Sequence, residues 1–207
     1  MLFFRHAPGR KALGLPIAQG AGLKAAYDRR ASPLTVTQVS TGPGSAMTRI
    51  QTTKFVGYPW TDLFNLVLDV KSYPEFVPRC RKVRLLSHRM AEPGVTIIVS
   101  RMTVGFSVFE VSYANRTTAD TAGRRIRIEA LDGPLRFLEA VWRFEPRDED
   151  HTQLHFSVNY EFSNLVLAAV ASRVLDAMFG EILNAFERRA AHLFPDGNSA
   201  GVAHRRR

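Results

Sequence analysis

From residue 151 to 194 the chain alternates strictly and then changes period. Leu154, Phe156, Val158, Tyr160 and Phe162 take every second position and His155, Ser157, Asn159 and Glu161 the others, which is the pattern of a half-buried antiparallel strand. From Asn164 to Phe194 no proline occurs, and Val174, Leu175, Met178, Phe179, Ile182, Leu183 and Phe186 recur at steps of three and four. That spacing puts them on one face of a helix, which Pro195 and Gly197 stop. A helix of about 30 residues is roughly 45 Å long, so it needs a broad curved surface to lie against, and a wrapped sheet supplies one.

Upstream, the same reading predicts a strand at 48–56 and a proline-initiated helix near 59–69 whose Trp60, Leu63, Phe64, Val67 and Leu68 share a face, then a short helix around Tyr73 to Phe76. Strands follow near 79–90, 95–104, 107–119, 124–131 and 137–145, punctuated by Glu92-Pro93-Gly94, Ala122-Gly123 and Asp132-Gly133-Pro134. No internal repeat is visible. One strand, two small helices, six strands and a long helix make an α+β fold, its antiparallel sheet curled around the C-terminal helix.

Alternation turns Phe109, Val111, Tyr113, Ile126, Ile128, Leu138, Trp142, Phe144 and the apolar side of the last strand toward the helix stripe. An aromatic and aliphatic lining of this kind suits a lipid better than a polar metabolite. An alternating strand and a helical stripe more often form a filled core than a ligand cavity, and the spacing leaves both readings open. Catalysis would need a general acid or base inside that space. His155 falls on the polar side, Glu139 and Arg143 alternate away from Trp142, and neither a Ser/His/Asp or Cys/His arrangement in recognisable context nor a glycine-rich phosphate loop is present. Glu110 reads as a surface residue and Tyr113 as core. Cys80 stands between Arg79 and Arg81, a setting that acidifies a thiol, although a structural role fits it better. As the single cysteine it forms no internal disulfide, and the six histidines lack metal-ligand spacing. The expectation is a protein without catalytic residues, metal or cofactor.

The net charge of +9 suggests a nucleic-acid partner until it is located along the chain. Residues 1–46 carry +5 and residues 196–207 carry +2, which leaves +2 for residues 47–195. The charge therefore describes the tails. One cluster remains inside the domain, Arg79, Arg81, Lys82, Arg84 and Arg89, either a solvated strand face or a contact surface for anionic lipid or RNA. Residues 1–46 are rich in Gly, Ala, Ser, Thr and Arg and lack sustained periodicity; they read as a disordered extension, followed by a domain at 47–195 and a disordered basic tail at 196–207. Met47 opens the first strand just where the composition changes, so the extension reads as a start placed too far upstream or as a cleaved organellar presequence. A secretory signal is disfavoured, because no clean apolar region follows the basic residues. Arginine outnumbers lysine 23 to 5, as in GC-rich bacterial genomes, which favours the first reading. No run reaches the about 18 apolar residues of a membrane span.

The segment Val70-Lys71-Ser72-Tyr73-Pro74-Glu75-Phe76-Val77-Pro78-Arg79-Cys80 resembles the V-x-x-Y-x-x-F-(V/I/L)-P-x-C signature of coenzyme Q-binding, START-like proteins of the polyketide cyclase superfamily. Leu131-Asp132-Gly133-Pro134, Trp142-Arg143-Phe144 and Ala185-Phe186-Glu187-Arg188-Arg189-Ala190 match in order, so the resemblance covers residues 48–194. It implies a helix-grip fold and a hydrophobic tunnel for ubiquinone or an isoprenoid precursor, used as a lipid-binding chaperone in quinone synthesis and respiration. A bacterial branch with the same motifs is described as a ribosome-association toxin that interferes with subunit joining.

Carried onto this chain, the resemblance puts Tyr73, Phe76, Val77 and Pro78 at the tunnel lip, Trp142 and Phe144 on the wall and Met178, Ile182 and Phe186 on the helix, each also readable as core. Phe109 and Val111, inward by alternation, join the ligand-binding set. Pro74 and Pro78 stiffen the lip by fixing their backbone angles. The continuous apolar start of the helix, Leu165 to Val170, would meet a membrane, a second subunit or the ligand's tail. The expected partners are a polyprenyl quinone, an anionic membrane surface or ribosomal subunits contacted through Arg79, Arg81, Lys82 and Arg84, and another copy of the chain. The expected location is the bacterial cytoplasm beside the inner membrane, or the matrix side of the mitochondrial inner membrane if the extension is a presequence.

Overall fold

Among the described residues twelve elements follow one another: β1 (Thr35–Gly42), β2 (Ser45–Val56), α1 (Trp60–Leu68), a 3-10 turn (Val70–Ser72), α2 (Tyr73–Phe76), β3 (Cys80–Glu92), β4 (Val95–Phe106), β5 (Phe109–Asp120), β6 (Arg125–Ala130), β7 (Leu135–Pro146), β8 (Thr152–Phe162) and α3 (Leu165–Leu193). The structure, a computed structural model, describes residues 35–42, 45–106, 109–163 and 165–195, with side chains over 47–105, 110–163 and 178–195. Among these residues no helix is long and apolar enough to cross a membrane.

The strands form one antiparallel sheet in the order β1-β2-β8-β7-β6-β5-β4-β3. β3 to β8 are a meander in which each strand pairs with the next. β2 joins by pairing with β8, Ile50 opposite Val158 and Thr52 opposite Phe156. Since β3 lies at the far edge, the chain must cross the sheet between β2 and β3, and α1 and α2 make that crossing. This is the helix-grip architecture, with the core between the inner face of the sheet and the helices.

The described sheet has one strand more than the sequence predicts. β1 lies inside the segment read as a disordered extension, and β2 starts at Ser45, also inside it. Thr35, Val36, Thr37, Val39 and Thr41 are β-branched, which favours extended backbone. Their apolar spacing is irregular, so local pattern hides the strand. It is the open edge of β2 that supplies its partners, Val36 opposite Ile50 and Gln38 opposite Thr48. Residues 1–34 and 196–207, and the expectations placed on them, lie outside the described residues.

On β8 burial alternates as the sequence predicts, with Leu154, Phe156, Val158 and Tyr160 buried. Register carries that face across the sheet: Phe156 stands opposite Trp142, Trp142 opposite Ile126 and Ile126 opposite Ala119, all buried. The outer face is ionic, with Arg127 Nε 2.6 Å from Glu139 and Arg136 3.2 Å from Glu161; such exposed pairs add little stability each.

Pro59 opens α1 with φ −55°, a torsion the ring imposes. Leu63, Phe64, Leu66 and Val67 are buried, and Phe64 meets Phe144 of β7 edge-on at 5.5 Å. The last carbonyls of a helix lack partners within it. Here the Asp69 amide donates to Asn65 O at 3.0 Å, and the Tyr73 hydroxyl donates to Val67 O at 2.5 Å. The residue that starts α2 thus finishes α1.

The Leu131-Asp132-Gly133-Pro134 segment latches the end of β6 onto β5. Leu131 N donates to Ala114 O at 2.8 Å, Ala114 N donates to Asp132 Oδ1 at 2.5 Å, and Arg101 donates to Asp132 Oδ2 at 2.7 Å. The Ala114 amide first, and Arg101 after it, hold the Asp132 carboxyl below its ordinary range. Gly133 has φ +112°, and a Cβ there would sit 2.7 Å from Tyr113 Cβ. Gly133→Ala is therefore expected to destabilise the domain by about 2 kcal/mol, seen as a lower urea midpoint at unchanged slope. Gly94→Ala is the control; Gly94 has φ +80° but open space around it and should lose less.

Candidate functional site

Aromatic rings run from the lip helix into the body of the sheet. Tyr73 and Phe76 of α2 both meet Phe186 of α3 edge-on, with centroids 5.4 and 5.1 Å away. Phe186 meets Trp142 of β7 at 5.2 Å, Trp142 meets Phe156 of β8 at 4.6 Å, and the line continues through Phe179 to Tyr160 at 6.3 and 6.0 Å. Pairs of this kind contribute beyond the area they bury. A charged clamp holds the lip from outside: Arg189 Nη2 lies 2.7 Å from Glu75 Oε2, and its guanidinium covers the Phe76 ring at 5.3 Å.

Burial moves three titratable groups around this line, Tyr73, Cys80 and Tyr113, further from ionisation. Burial pushes the Cys80 thiol up to about 11. Burial, with Cys80 as a lesser cause, pushes the Tyr113 phenol up to about 12. Tyr73 is raised further still by burial. The acidifying setting that Arg79 and Arg81 gave Cys80 in the sequence is thus overridden: Arg79 and Arg81 are exposed while the thiol is 6% exposed, and desolvation favours the neutral form.

Residues 56–187 match the family described as polyketide cyclase / dehydrase and lipid transport. The chain belongs to that family. The ribosome association toxin RatA of Rickettsia prowazekii is 29% identical over 70% of this chain and 97% of its own length. The mitochondrial coenzyme Q-binding protein COQ10 homolog B of Xenopus laevis is 30% identical over 73% of this chain and 61% of its own. Among solved structures, that of an 18 kDa protein from Caulobacter crescentus is 33% identical, with a TM-score of 0.58 over 71% of this chain and 98% of the other. The family's description spans both enzymes and lipid transport, so membership alone does not choose between them.

Within this family fold the residues predicted from sequence fall into three groups. Tyr73, Phe76, Trp142 and Phe186 meet in the aromatic line, with Val77 and Met178 buried and Pro78 and Ile182 partly buried. Phe144 is 1% exposed but joins Phe64 beneath α1 rather than the line. Val111 is partly buried, on the inner face opposite Val104. The Phe109 side chain and those of Leu165 to Val170 lie outside the described residues. Arg79, Arg81, Lys82 and Arg84 are exposed at or beside the edge strand β3. Arg79 has φ 63° and lies 3.9 Å from Glu181.

Two features escaped the sequence reading. The Glu75–Arg189 clamp joins residues too far apart in the chain for any local pattern. Ser100, Asn115 and Thr117, at 0, 3 and 1% exposure, are polar residues on the inner face; the parity that turned Val111 and Tyr113 inward already includes Asn115 and Thr117. A groove of about 820 Å³ lies elsewhere, between Pro59–Asp62 and Pro146–Glu149, and none of the predicted site residues lines it.

Tyr73→Phe leaves the buried Val67 carbonyl without its donor and is expected to cost about 1–2 kcal/mol. Phe186→Ala opens the ring junction and is expected to cost about 3–5 kcal/mol. Urea denaturation of both variants checks the order.

Proposed function

We propose that this protein is a non-enzymatic lipid carrier, holding ubiquinone or a polyprenyl quinone precursor against the aromatic line and serving quinone synthesis and respiratory electron transport at the surface of a membrane. The observation that carries this reading is the aromatic line that runs from Tyr73 and Phe76 at the lip through Phe186 and Trp142 to Phe156. Tyr73, Cys80 and Tyr113, neutral at pH 7 even at their ordinary values, are moved further from ionisation by burial, whereas a general base must be poised near the working pH. What such a wall offers is apolar surface, worth about 0.8 kcal/mol per buried methylene, and a polyprenyl tail has many methylenes to bury. The name of the coenzyme Q-binding relative supports the same ligand class. Mass spectrometry of an organic extract from protein purified without detergent tests the reading. The wild type is expected to carry a near-stoichiometric polyprenyl quinone, and Phe76→Asp, at the partly buried lip, to lose at least about tenfold of it with an unchanged circular dichroism spectrum. Wild-type protein that comes out empty and takes up no added quinone would sink the proposal.

A second reading, a ribosome-associated regulator, is favoured by the basic face and by the name of the toxin relative. Among the described residues no acidic partner is seen for the exposed Arg81, Lys82, Arg84 and Arg89. Arg84 also stands opposite Arg101 across β3 and β4, and like charges so placed are destabilising. This reading expects co-sedimentation with ribosomal subunits at low salt that weakens steeply as salt rises and falls about tenfold in a Lys82→Glu/Arg84→Glu variant. Sedimentation unaffected by that variant would count against it.

A further inference from the structure

Among the described residues two buried side-chain atoms have no hydrogen-bond partner, Asp62 Oδ2 and Arg189 Nε. Buried polar groups almost always have one, so each asks for an explanation. Asp62, in the first turn of α1, has a way out: burial moves its carboxyl up toward the neutral form, which costs less to bury. A guanidinium keeps its charge at any physiological pH, so Arg189 has no such recourse.

Arg189 stands at the lip, among the rings. Its guanidinium covers Phe76 at 5.3 Å, and Phe76 and Tyr73 meet at Phe186, about a turn earlier on α3. Arginine pairs best with an oxyanion through two parallel N–H bonds. Here Nη2 donates to Glu75 Oε2 at 2.7 Å and Nε is left over. Glu75 is also the open member of the pair, its side chain 61% exposed against 22% for Arg189, and an ion pair so exposed is weak. The nearby Arg79 and Glu181 face each other at 3.9 Å, and Arg188 is exposed. The charge of Arg189 is thus answered by one loosely held carboxylate.

We propose that Arg189 binds the head of the lipid, that this head is an oxyanion, a carboxylate or a phosphate ester, and that Glu75 is its internal stand-in, displaced when such a lipid arrives. The proposal rests on the carrier reading and narrows its ligand to an acid-headed lipid. An oxyanion set between Nε and Nη2 satisfies the donor that Glu75 misses, and its tail then lies against the rings of Phe76, Phe186 and Trp142. Released from Arg189, the Glu75 carboxylate returns to water and the lip loses its outer clamp. The far end of the lip stays fixed, with Cys80 N donating to Val77 O at 3.2 Å and Gly105 N to Arg79 O at 2.9 Å. The part set free is therefore Glu75 and Phe76, the residues that cover the guanidinium.

Equilibrium dialysis of the full chain at neutral pH tests this with three probes of one tail length, dodecanoate, dodecyl phosphate and dodecanol, each below the concentration at which it aggregates. The wild type is expected to bind either acid about tenfold more tightly than the alcohol, the worth of a charge-assisted hydrogen bond partly offset by the loss of Glu75. Arg189→Gln should bring that ratio close to unity. Glu75→Gln removes the stand-in but keeps its shape, and should raise the ratio several-fold. Arg188→Gln takes the same charge from the exposed neighbouring position and should leave the ratio unchanged. A merely structural clamp predicts otherwise: Glu75→Gln would then change acid and alcohol binding together, which overturns the proposal. An Arg188→Gln effect as large as that of Arg189→Gln also overturns it, as general attraction to a basic protein, and so does a ratio unchanged in folded Arg189→Gln, which would mean that bound water satisfies Nε. Glu75→Gln carries the test if Arg189→Gln does not fold. Inorganic phosphate that displaces both acids but not dodecanol assigns the site to a free anion and overturns the lipid head. Dodecanol bound as tightly as the acids overturns the head assignment and leaves the carrier reading standing, whereas failure of all three probes to bind overturns both.

Discussion

Phe186 packs edge-on against Tyr73 and Phe76 and at 54° against Trp142, so one ring joins α3, α2 and the sheet. Four-residue α2 has too few hydrogen bonds to persist alone. It keeps its place because Phe186 receives its two rings, Arg189 holds Glu75 and the Tyr73 hydroxyl closes α1. The crossing from β2 to β3 is anchored through the same contacts. Any ligand entering between α2 and α3 must part these rings, so exchange and local stability are linked.

The two faces of the sheet do different physical work. Outside, cations and carboxylates interleave across β6, β7 and β8, whereas β3 carries exposed cations for which no acidic partner is seen among the described residues. Interactions there are screened by salt. Inside, desolvation disfavours the charged forms of buried groups, and the packing of apolar side chains is something that salt hardly touches. Ionic strength therefore separates what the outer surface does from what the interior does.

Much of the fold was legible because burial is written as periodicity. The Leu154 to Phe162 alternation, the Met178-Phe179-Ile182-Leu183-Phe186 stripe and the turns at Glu92-Pro93-Gly94 and Asp132-Gly133-Pro134 each state a local rule that the tertiary structure obeys. β1 was not legible, because an edge strand needs only one neighbour and little apolar patterning. The site was half legible. Parity named Trp142 and Tyr113 as inward, but it did not show that Phe144 pairs with Phe64 under α1 or that Cys80 is buried.

The sequence by itself determined the element order from β2 onward, the inward face of each strand from β5 to β8 and the apolar face of the described part of α3, because these depend on spacings of two and of three to four residues within short segments. Only the tertiary structure decided which inward residues meet. Phe186 reaches Tyr73 and Trp142, Arg189 reaches Glu75, and Ser100 turns the amide of Asn115 because the meander and the α1–α2 crossing bring distant segments together. The upward shift of the Cys80 thiol and the Tyr113 phenol was settled at the same level, since desolvation depends on everything packed around a group and not on its neighbours in the chain.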